Sequence, residues 1–287
     1  MSVHFHKIHG LGNDFVLTRD LDPFRHDLAR AARVLCDRHF GIGADGLIVV
    51  LPSERADFGM RIFNPDGSEA EMCGNGIRCF AKYVYEEGLT RKTALTVETL
   101  AGIIKPELKV VADRVAEVRV DMGRPRLLSE EIPVVGFGQG PVKDARIEVE
   151  GTEVSFTAVS MGNPHAVVPV EDLNRVPWQV LGPALESHEA FPRKTNVEFA
   201  QVLGPHEVQV VVWERGAGPT LACGTGACAT VVALSLTGRL DRHATVHLPG
   251  GDLDILWAED DHVYMTGPAT TVFSGEYLLD PAEFKRR

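Results

Sequence analysis

Cys73-Gly74-Asn75-Gly76 and Cys223-Gly224-Thr225-Gly226 are the two stretches that decide how this chain folds. Each is a Cys-Gly-x-Gly sequence that opens an apolar run, IRCFAKYVYEEG in the first case and ACATVVALSLTG in the second. Apolar residues in the first run recur at the spacing of a helix. The runs end at Gly88 and Gly238, as helices commonly do. The pattern predicts two buried helices, each with a cysteine at its N-terminus.

The two stretches belong to a longer internal repeat with a constant offset. Cys223 lies 150 residues after Cys73, and Gly238 lies 150 residues after Gly88. The same offset relates three further pairs: Asn13 and Asn163, Gly46 and Asn196, Asn64 and Glu214. A single insertion or deletion between the copies would have broken this register. Because only two long copies are present, the sequence predicts a two-domain duplication and not a solenoid.

The rest of the chain alternates many short strand patterns with one long apolar helix in each half, which predicts an α+β fold. We expect two pseudo-symmetric domains, each a curved mixed sheet or open barrel around a central helix. Residues 1–123 plus 270–287 form the predicted first domain, and residues 124–269 the second. A final strand near residues 272–279 is expected to return to the first domain. We also expect the two helix N-termini to face each other across an interdomain cleft that holds the active site.

Composition limits the class of protein. The 287 residues are 44% apolar and 24% charged, as in an ordinary globular protein. A net charge of −11 argues against a nucleic-acid partner. No apolar signal core is seen in the first 20 residues, and the uncharged segment 216–238 has too short an apolar part to span a membrane. Five cysteines, an odd number at low density, favour a reducing cytoplasm.

The two repeated cysteines are the candidate catalytic residues. A helix N-terminus favours a thiolate, and the amides that follow each cysteine are suited to bind a carboxylate. Two thiols acting on one carbon suit a two-base reaction, in which one removes a proton and the other returns one to the opposite face. The alternative is that both are small buried apolar residues, as most free cysteines are. Cys36, Cys79 and Cys228 lack the glycine context and are interpreted as structural.

Other kinds of site find no support in the sequence. The spacings of Cys73 to Cys79 and of Cys223 to Cys228 do not match the close pairs typical of zinc sites. No CxxC pair, phosphate loop or dinucleotide fingerprint is present. The sequence therefore predicts a reaction that needs no metal, nucleotide or pyridoxal phosphate, so no cofactor is expected.

Six motifs carry a resemblance to a known family. In order they are GLGNDF, FNPDGSEAEMCGNGIRC, MGNPH, TNVEF, WERGAGPTLACGTGACA and TGPA. They resemble the diaminopimelate epimerases over nearly the whole chain. The resemblance implies an isomerase that interconverts LL- and meso-2,6-diaminopimelate in lysine biosynthesis, without pyridoxal phosphate. It also implies two pseudo-symmetric domains and a cytoplasmic homodimer.

The resemblance also implies roles for individual residues. Cys73 and Cys223 become the acid–base pair, and His165 and Glu214 match the positions that tune their protonation. The α-carboxylate of the reacting centre is assigned to Gly74, Asn75, Gly224 and Thr225. The remaining pocket residues are Asn13, Asn64, Asn163, Asn196, Glu214 and Arg215, of which Arg215 suits a carboxylate.

The residues alone leave simpler readings open for some of these positions. A lone histidine beside a proline, such as His165, is more often an ordinary structural residue. Asn13, Asn64 and Asn163 each adjoin Gly, Pro or Asp and are suited to turns. One position departs from the family pattern, because Gly46 stands where some members have glutamine.

Two other functions remain open at this point. One is a racemase or epimerase of another amino acid, such as proline or hydroxyproline. The polar residues suited to a second amino acid head group favour diaminopimelate over it. The other is a non-catalytic binding protein in which Cys73 and Cys223 form a reversible disulfide. It predicts that no substrate exchanges its Cα proton.

Overall fold

The computed structural model of the chain describes residues 2–20, 22–24 and 27–279. The chain divides into two compact units. The first comprises the described parts of Met1–Val120 and Gly267–Arg287, and the second comprises Asp121–Thr266. The first unit thus draws on both ends of the chain, whereas the second is continuous.

The first unit contains nine strands from the early part of the chain and two α-helices. The strands are β1 (Ser2–Gly10), β2 (Asn13–Thr18), β3 (Gly46–Leu51), β4 (Phe58–Phe63), β5 (Glu69–Ala70), β6 (Val97–Thr99), β7 (Gly102–Ile104), β8 (Glu107–Val111) and β9 (Arg114–Asp121). The helices are α1 (Leu28–Leu35) and α2 (Gly74–Glu86), and a short 3-10 turn covers Asp22–Phe24. Strand β8, which the sequence patterns did not predict, forms an antiparallel hairpin with β9.

The second unit repeats this content. Its strands are β10 (Ala145–Val149), β11 (Thr152–Ser160), β12 (Pro164–Pro169), β13 (Asn196–Gly204), β14 (Glu207–Glu214), β15 (Gly218–Thr220), β16 (His243–Leu248), β17 (Gly251–Trp257) and β18 (Val263–Gly267). Its helices are α3 (Trp178–Glu186) and α4 (Gly224–Leu236), with a 3-10 turn at Leu173–Arg175. The last described strand of the chain is β19 (Thr270–Leu278).

Seven strands follow the same order in the two sheets. The first sheet runs β19-β1-β2-β3-β4-β6-β7, with β5 beside β4. The second runs β10-β11-β12-β13-β14-β16-β17-β18, with β15 beside β14. In each unit the second and third strands of the repeat pair in parallel, and the third and fourth pair antiparallel. Both are open mixed sheets, so the predicted α+β, two-domain architecture is confirmed.

The register of the pairing also repeats. Phe15 pairs with Gly46 in the first unit, and His165 pairs with Asn196 in the second. Leu47 pairs with Phe63, and Val197 pairs with Trp213. Each of these residues in the second unit lies 150 positions after its equivalent in the first unit. The constant offset predicted from the sequence is therefore the offset of the folded ladders.

The final strand returns to the first unit, as predicted, because β19 pairs antiparallel with β1. Strand β10 pairs antiparallel with β11 and so occupies the equivalent edge of the second sheet. It precedes its repeat in the chain, whereas β19 follows both copies.

The two cysteine helices are buried almost all round. In α2 every side chain from Gly74 to Tyr85 is buried, and in α4 nearly every side chain from Gly224 to Leu234. Helix α2 packs on β1, β2 and β3, and α4 packs on β11, β12, β13, β16 and β17. Burial on all faces explains why α4 carries almost no polar side chains. Among the described residues, no helix is both long and apolar enough to cross a bilayer.

Candidate active site

Each repeated cysteine is the N-cap of its helix, as predicted. Cys73 has an extended backbone, with φ −139° and ψ 122°, and its Sγ accepts a hydrogen bond of 3.4 Å from the Gly76 amide. Cys223 has φ −117° and ψ 111°, and its Sγ accepts one of 3.3 Å from the Gly226 amide. No disulfide is recorded among the cysteines that the structure describes. Both sulfurs thus lie at the positive end of a helix dipole, which favours a thiolate.

The glycines after the cysteines are needed for close packing. A Cβ on Gly226 would lie 2.7 Å from Glu198 Oε1 and 3.2 Å from Cys223 Sγ. A Cβ on Gly76 would lie 3.1 Å from the end of the Ile62 side chain. The Cys-Gly-x-Gly pattern therefore permits the helix to approach the sheet closely at its first turn.

Asn13 and Asn75 join Cys73 in one group, which we call the Cys73 cluster. Asn13 Oδ1 accepts a hydrogen bond of 3.2 Å from Asn75 Nδ2 and a longer one of 3.7 Å from Cys73 Sγ. Asn13 lies at the start of β2, directly after the turn of GLGNDF. The turn and the helix N-terminus, 60 residues apart in the chain, are thereby brought together as the resemblance implied.

An ionic network that was not predicted from the sequence holds the Asn13 side chain in place. Asn13 Nδ2 donates to Asp45 Oδ2 at 3.0 Å, and Arg38 pairs with both Asp45 and Asp14, at 2.7 and 3.1 Å. Lys7 also pairs with Asp14. Burial raises the pKa of Asp14, but the hydrogen bonds from Lys7 and Arg38 outweigh it and leave the pKa below its usual value. The network fixes the direction in which the Asn13 amide points.

A fully buried arginine lies inside α2 and was also missed. Arg78 donates from Nη1 to the carbonyl of Gly74 at 3.1 Å and from Nε to that of Pro268 at 3.2 Å. A Cβ on Gly10 would lie 2.9 Å from Arg78 Nη2. The charge within the otherwise apolar IRCF run is the signal that could have marked it.

A chain of hydrogen bonds leads to the second sulfur, and its members form the Cys223 cluster. Cys223 Sγ lies 3.5 Å from Thr225 Oγ1, which accepts a bond of 3.3 Å from Asn163 Nδ2. Asn163 Oδ1 lies 3.0 Å from His165 Nε2. His165 therefore belongs to the hydrogen-bonded surroundings of a helix-capping thiol.

Glu198 completes this chain and was not singled out in the sequence. Its Oε1 lies 2.7 Å from His165 Nδ1, and both side chains are 0% exposed. Glu198 stands on β13 between the apolar Val197 and Phe199. A carboxylate in an apolar strand is the signal that could have found it, since such groups are rarely buried without a partner.

Glu214 is a second carboxylate near Cys223. Burial raises the pKa of Glu214, and the hydrogen bond from Thr220 Oγ1 opposes this. Burial also raises the pKa of Cys223 well above its usual value, and the charges of Glu214 and Glu198 raise it further. The cluster thus favours the protonated thiol at neutral pH.

Replacing Glu214 by glutamine is expected to make Cys223 easier to ionise. The neutral amide removes a negative charge that raises the pKa of the thiol. The alkylation rate of Cys223 by iodoacetamide, followed by mass spectrometry at several pH values, should then rise at neutral pH by a few-fold to tenfold. Alkylation of Cys73 in the same sample is the internal control. A slower reaction of Cys223 would contradict the assigned electrostatic role of Glu214.

The turn that carries Arg215 is held by two buried groups. Asn196 Oδ1 accepts from the Arg215 amide at 2.9 Å, while its Nδ2 donates to the Pro164 carbonyl at 2.8 Å. Glu186 accepts from the Gly216 amide at 3.1 Å and from the indole of Trp213 at 2.8 Å. The Arg215 guanidinium is exposed and donates to the Arg193 carbonyl. Asn196 thus acts on the backbone of the turn.

The predicted pocket residue Asn64 and the departing position Gly46 both lie outside the hydrogen bonds recorded for the two clusters. Asn64 lies in the exposed turn after β4, where its Nδ2 donates to Ser68 Oγ at 2.9 Å. Gly46 has no room for a side chain, because a Cβ there would lie 3.0 Å from the Phe63 carbonyl oxygen and 3.3 Å from the Phe15 ring. The departure at Gly46 therefore accompanies tight packing of Phe15 in this chain.

Comparison with known proteins gives the family of the chain. The family model for diaminopimelate epimerase matches residues 5–128 and 157–272. A diaminopimelate epimerase of Moorella thermoacetica is 61% identical over 97% of this chain and all of its own length. One from Methanococcus maripaludis is 53% identical over 95% of this chain and 98% of its own.

Solved structures with the same fold are more distant in sequence. A hydroxyproline epimerase from Agrobacterium vitis matches with a TM-score of 0.69 and 17% identity, over 99% of this chain and 94% of its own. A phenazine biosynthesis protein of the PhzF family from Bacillus anthracis matches with a TM-score of 0.71 and 19% identity, over 97% of this chain and all of its own. These likenesses concern the fold, whereas the family model and the sequence relatives show that the chain is an isomerase of the diaminopimelate epimerase family.

Proposed function

We propose that the chain epimerises LL-2,6-diaminopimelate to the meso isomer, with Cys73 and Cys223 as the two acid–base groups and without a cofactor. The observation that carries the proposal is that the two thiols cap equivalent helices in exact register, each inside a hydrogen-bonded polar cluster. An inversion needs one group on each face of the same carbon, and a duplicated fold supplies two.

In this mechanism the first turns of the helices bind the α-carboxylate of the reacting centre. The amides of Gly74 and Asn75 in α2, and of Gly224 and Thr225 in α4, belong to first turns, whose N–H groups have no carbonyl partner within the helix. They lie where negative charge develops once the Cα proton leaves. Such donors stabilise the carbanionic transition state more than the neutral substrate carbon, which lowers the barrier.

The protonation of Cys223 sets the direction of the first step. Because its pKa is raised by burial and by neighbouring carboxylates, Cys223 holds its proton at neutral pH and acts as the acid. Cys73 then acts as the base for the LL isomer. In the reverse reaction the two cysteines exchange these roles.

The distal amino acid centre of the substrate is assigned to the residues of the exposed turns. Arg215 suits the second carboxylate, and Asn64 a further polar group. Asn196 and Glu186 support this role because they hold the backbone of the Arg215 turn. We further propose that the enzyme serves lysine biosynthesis as a cytoplasmic homodimer. Sedimentation of the purified protein would test whether it is a dimer.

Proton NMR in heavy water is the test of the reaction and the substrate. Reduced enzyme with LL-diaminopimelate should lose the Cα–H signal of the reacting centre and yield the meso isomer. Proline and hydroxyproline should remain unchanged under the same conditions. Exchange with proline but not with diaminopimelate would transfer the proposal to the racemase alternative, and no exchange with either would favour a thiol-redox binding protein.

A further inference from the structure

We propose that Glu198 is a positioning residue: it fixes the His165 ring and, through that ring, the Asn163 amide, so that the Thr225 hydroxyl donates its proton to Cys223. The role deepens the proposed function and rests on it for its catalytic meaning. The hydrogen-bond chain itself is a property of this structure, whatever the substrate.

The chain is continuous from the carboxyl group to the sulfur. Glu198 Oε1 lies 2.7 Å from His165 Nδ1, and His165 Nε2 lies 3.0 Å from Asn163 Oδ1. Asn163 Nδ2 donates to Thr225 Oγ1 at 3.3 Å, and that oxygen lies 3.5 Å from Cys223 Sγ. Glu198 does not touch the reacting atoms in this scheme, so the orienting effect assigned to it passes through three intervening side chains.

The direction of each hydrogen bond follows from the chemistry of its atoms. A carbonyl oxygen can only accept, so His165 Nε2 must carry a proton to bond Asn163 Oδ1. The amide nitrogen of Asn163 then faces Thr225 and donates to its oxygen. Because Thr225 Oγ1 accepts from Asn163, its own hydroxyl proton is left to point at the sulfur 3.5 Å away. One orientation of the ring therefore sets the whole sequence of donors.

Glu198 stabilises that orientation of the His165 ring in a site closed to solvent. With Nε2 protonated, Nδ1 needs a partner that shares a proton with it, and the carboxyl group provides one. The His165–Glu198 pair then carries no net charge, whether the shared proton rests on nitrogen or on oxygen, which suits two side chains that are 0% exposed. Without the carboxyl group the ring is free to protonate Nδ1 instead and reverse the Asn163 amide.

The first unit shows the opposite amide orientation at the equivalent position. Asn13 turns its amide nitrogen to Asp45 and its oxygen to Asn75 and Cys73. Asn163 turns its oxygen to His165 and its nitrogen to Thr225. In both units a neighbouring group determines which end of the asparagine amide faces the cysteine cluster. That group is an acid, Asp45, in the first unit and the His165–Glu198 pair in the second.

The pair does not resemble a device for stability. Glu198 Oε2 is buried, and among the described residues it has no hydrogen-bond partner. The equivalent positions in the first unit, 150 residues earlier, are the buried apolar Phe15 and Ile48. In the first unit, which has no such hydrogen-bond chain, the fold fills these two positions with apolar side chains. The polar pair in the second unit is therefore not required for packing, which supports a role for it in the chemistry at Cys223.

The test compares two variants of similar side-chain length, Glu198→Met and Glu198→Gln. Methionine cannot bond to the His165 ring, whereas the glutamine amide can donate to Nδ1 and preserve the order of donors. The rate of Cys223 alkylation by iodoacetamide is measured against pH by mass spectrometry, and thermal unfolding is followed in parallel. Ile48→Met, the same change at the equivalent position of the first unit, is the control.

Glu198→Met removes a negative charge that raises the pKa of Cys223, but the His165 ring also gives up the shared proton, so the net charge of the pair is unchanged. Loss of the donor from Thr225 then disfavours the thiolate, so the Cys223 profile should move to higher pH and the rate at neutral pH should fall roughly tenfold. Glu198→Gln should stay within about threefold of the unchanged protein, and Ile48→Met should leave the profile in place. If Glu198→Met does not fold, the double variant His165→Phe with Glu198→Ile, which copies the first unit, should show the same upward shift.

Three results would overturn the proposal. A profile that moves to lower pH in Glu198→Met means that Glu198 acts only as a nearby negative charge. An unchanged profile in a folded variant means that the chain does not reach the sulfur. Equal impairment of Glu198→Gln and Glu198→Met means that the hydrogen bond to the ring is not the determinant. Alkylation requires no substrate, so these results are independent of the diaminopimelate assay.

Discussion

Cys73→Ala and Cys223→Ala are each expected to reduce epimerisation of LL-diaminopimelate by roughly 10²–10⁴-fold or more, since each removes one of the two proton-transferring groups. The loss should be in kcat, because neither thiol is assigned a role in binding the substrate. Chiral analysis of the product at fixed times measures the rate. Each variant should remain folded, since alanine replaces a helix-capping side chain without adding volume.

Hydrogen exchange in heavy water adds a sharper criterion for the same two variants. With one thiol left, any remaining exchange of the Cα proton should occur with retention of configuration, because a single base serves a single face. Cys79→Ala is the matched control. Cys79 lies in the same helix as Cys73, but it is 0% exposed and burial raises its pKa to about 12, so it should be inert. Substantial inversion by either Cys73→Ala or Cys223→Ala would refute the two-base scheme.

The second large effect concerns stability. His165→Phe alone is expected to lower the free energy of unfolding by about 3–5 kcal/mol, because it leaves the carboxyl group of Glu198 buried without its partner. Adding Glu198→Ile should recover most of this loss. The double variant carries the apolar pair found at Phe15 and Ile48, and replacing a buried ion pair by packed apolar groups is often neutral or stabilising. Urea unfolding followed by circular dichroism measures both values.

The double variant separates folding from chemistry. Its free energy of unfolding is expected to lie close to that of the unchanged protein. Its rate of epimerisation is nevertheless expected to be low, because His165 and the hydrogen-bond chain to Cys223 are absent. Phe15→Leu serves as a control for packing changes at the equivalent position, with a loss below about 1.5 kcal/mol. A double variant no more stable than His165→Phe would show that the two units do not pack this position alike.

Local patterns in the sequence were sufficient for much of the fold. Cys73 and Cys223 at helix N-termini, the terminal glycines and the constant offset of 150 residues are all local or periodic features, and the structure contains them. The resemblance, and not the residue pattern, singled out His165. The periodic signals succeed because helix ends and repeats are encoded in adjacent residues.

Glu198 was not predicted from the sequence because its contact with His165 depends on a parallel strand pairing. His165 on β12 and Glu198 on β13 come together only because β12 and β13 run in parallel in one particular register, with His165 opposite Asn196. A parallel pair is joined by a long crossover, so no turn in the sequence fixes that register. The network of Lys7, Arg38 and Asp45 was missed for the same reason, since its members come from separate segments.

The pairing of β19 with β1 has a consequence for how the protein is made. During synthesis from the N-terminus, the second unit emerges as one continuous segment and is complete before β19 is made. The first unit begins to emerge earlier, but its edge strand β19 leaves the ribosome only after the whole second unit. The half of the protein that is translated first is therefore the half that completes its sheet last, with the edge of β1 open to other strands in the interval.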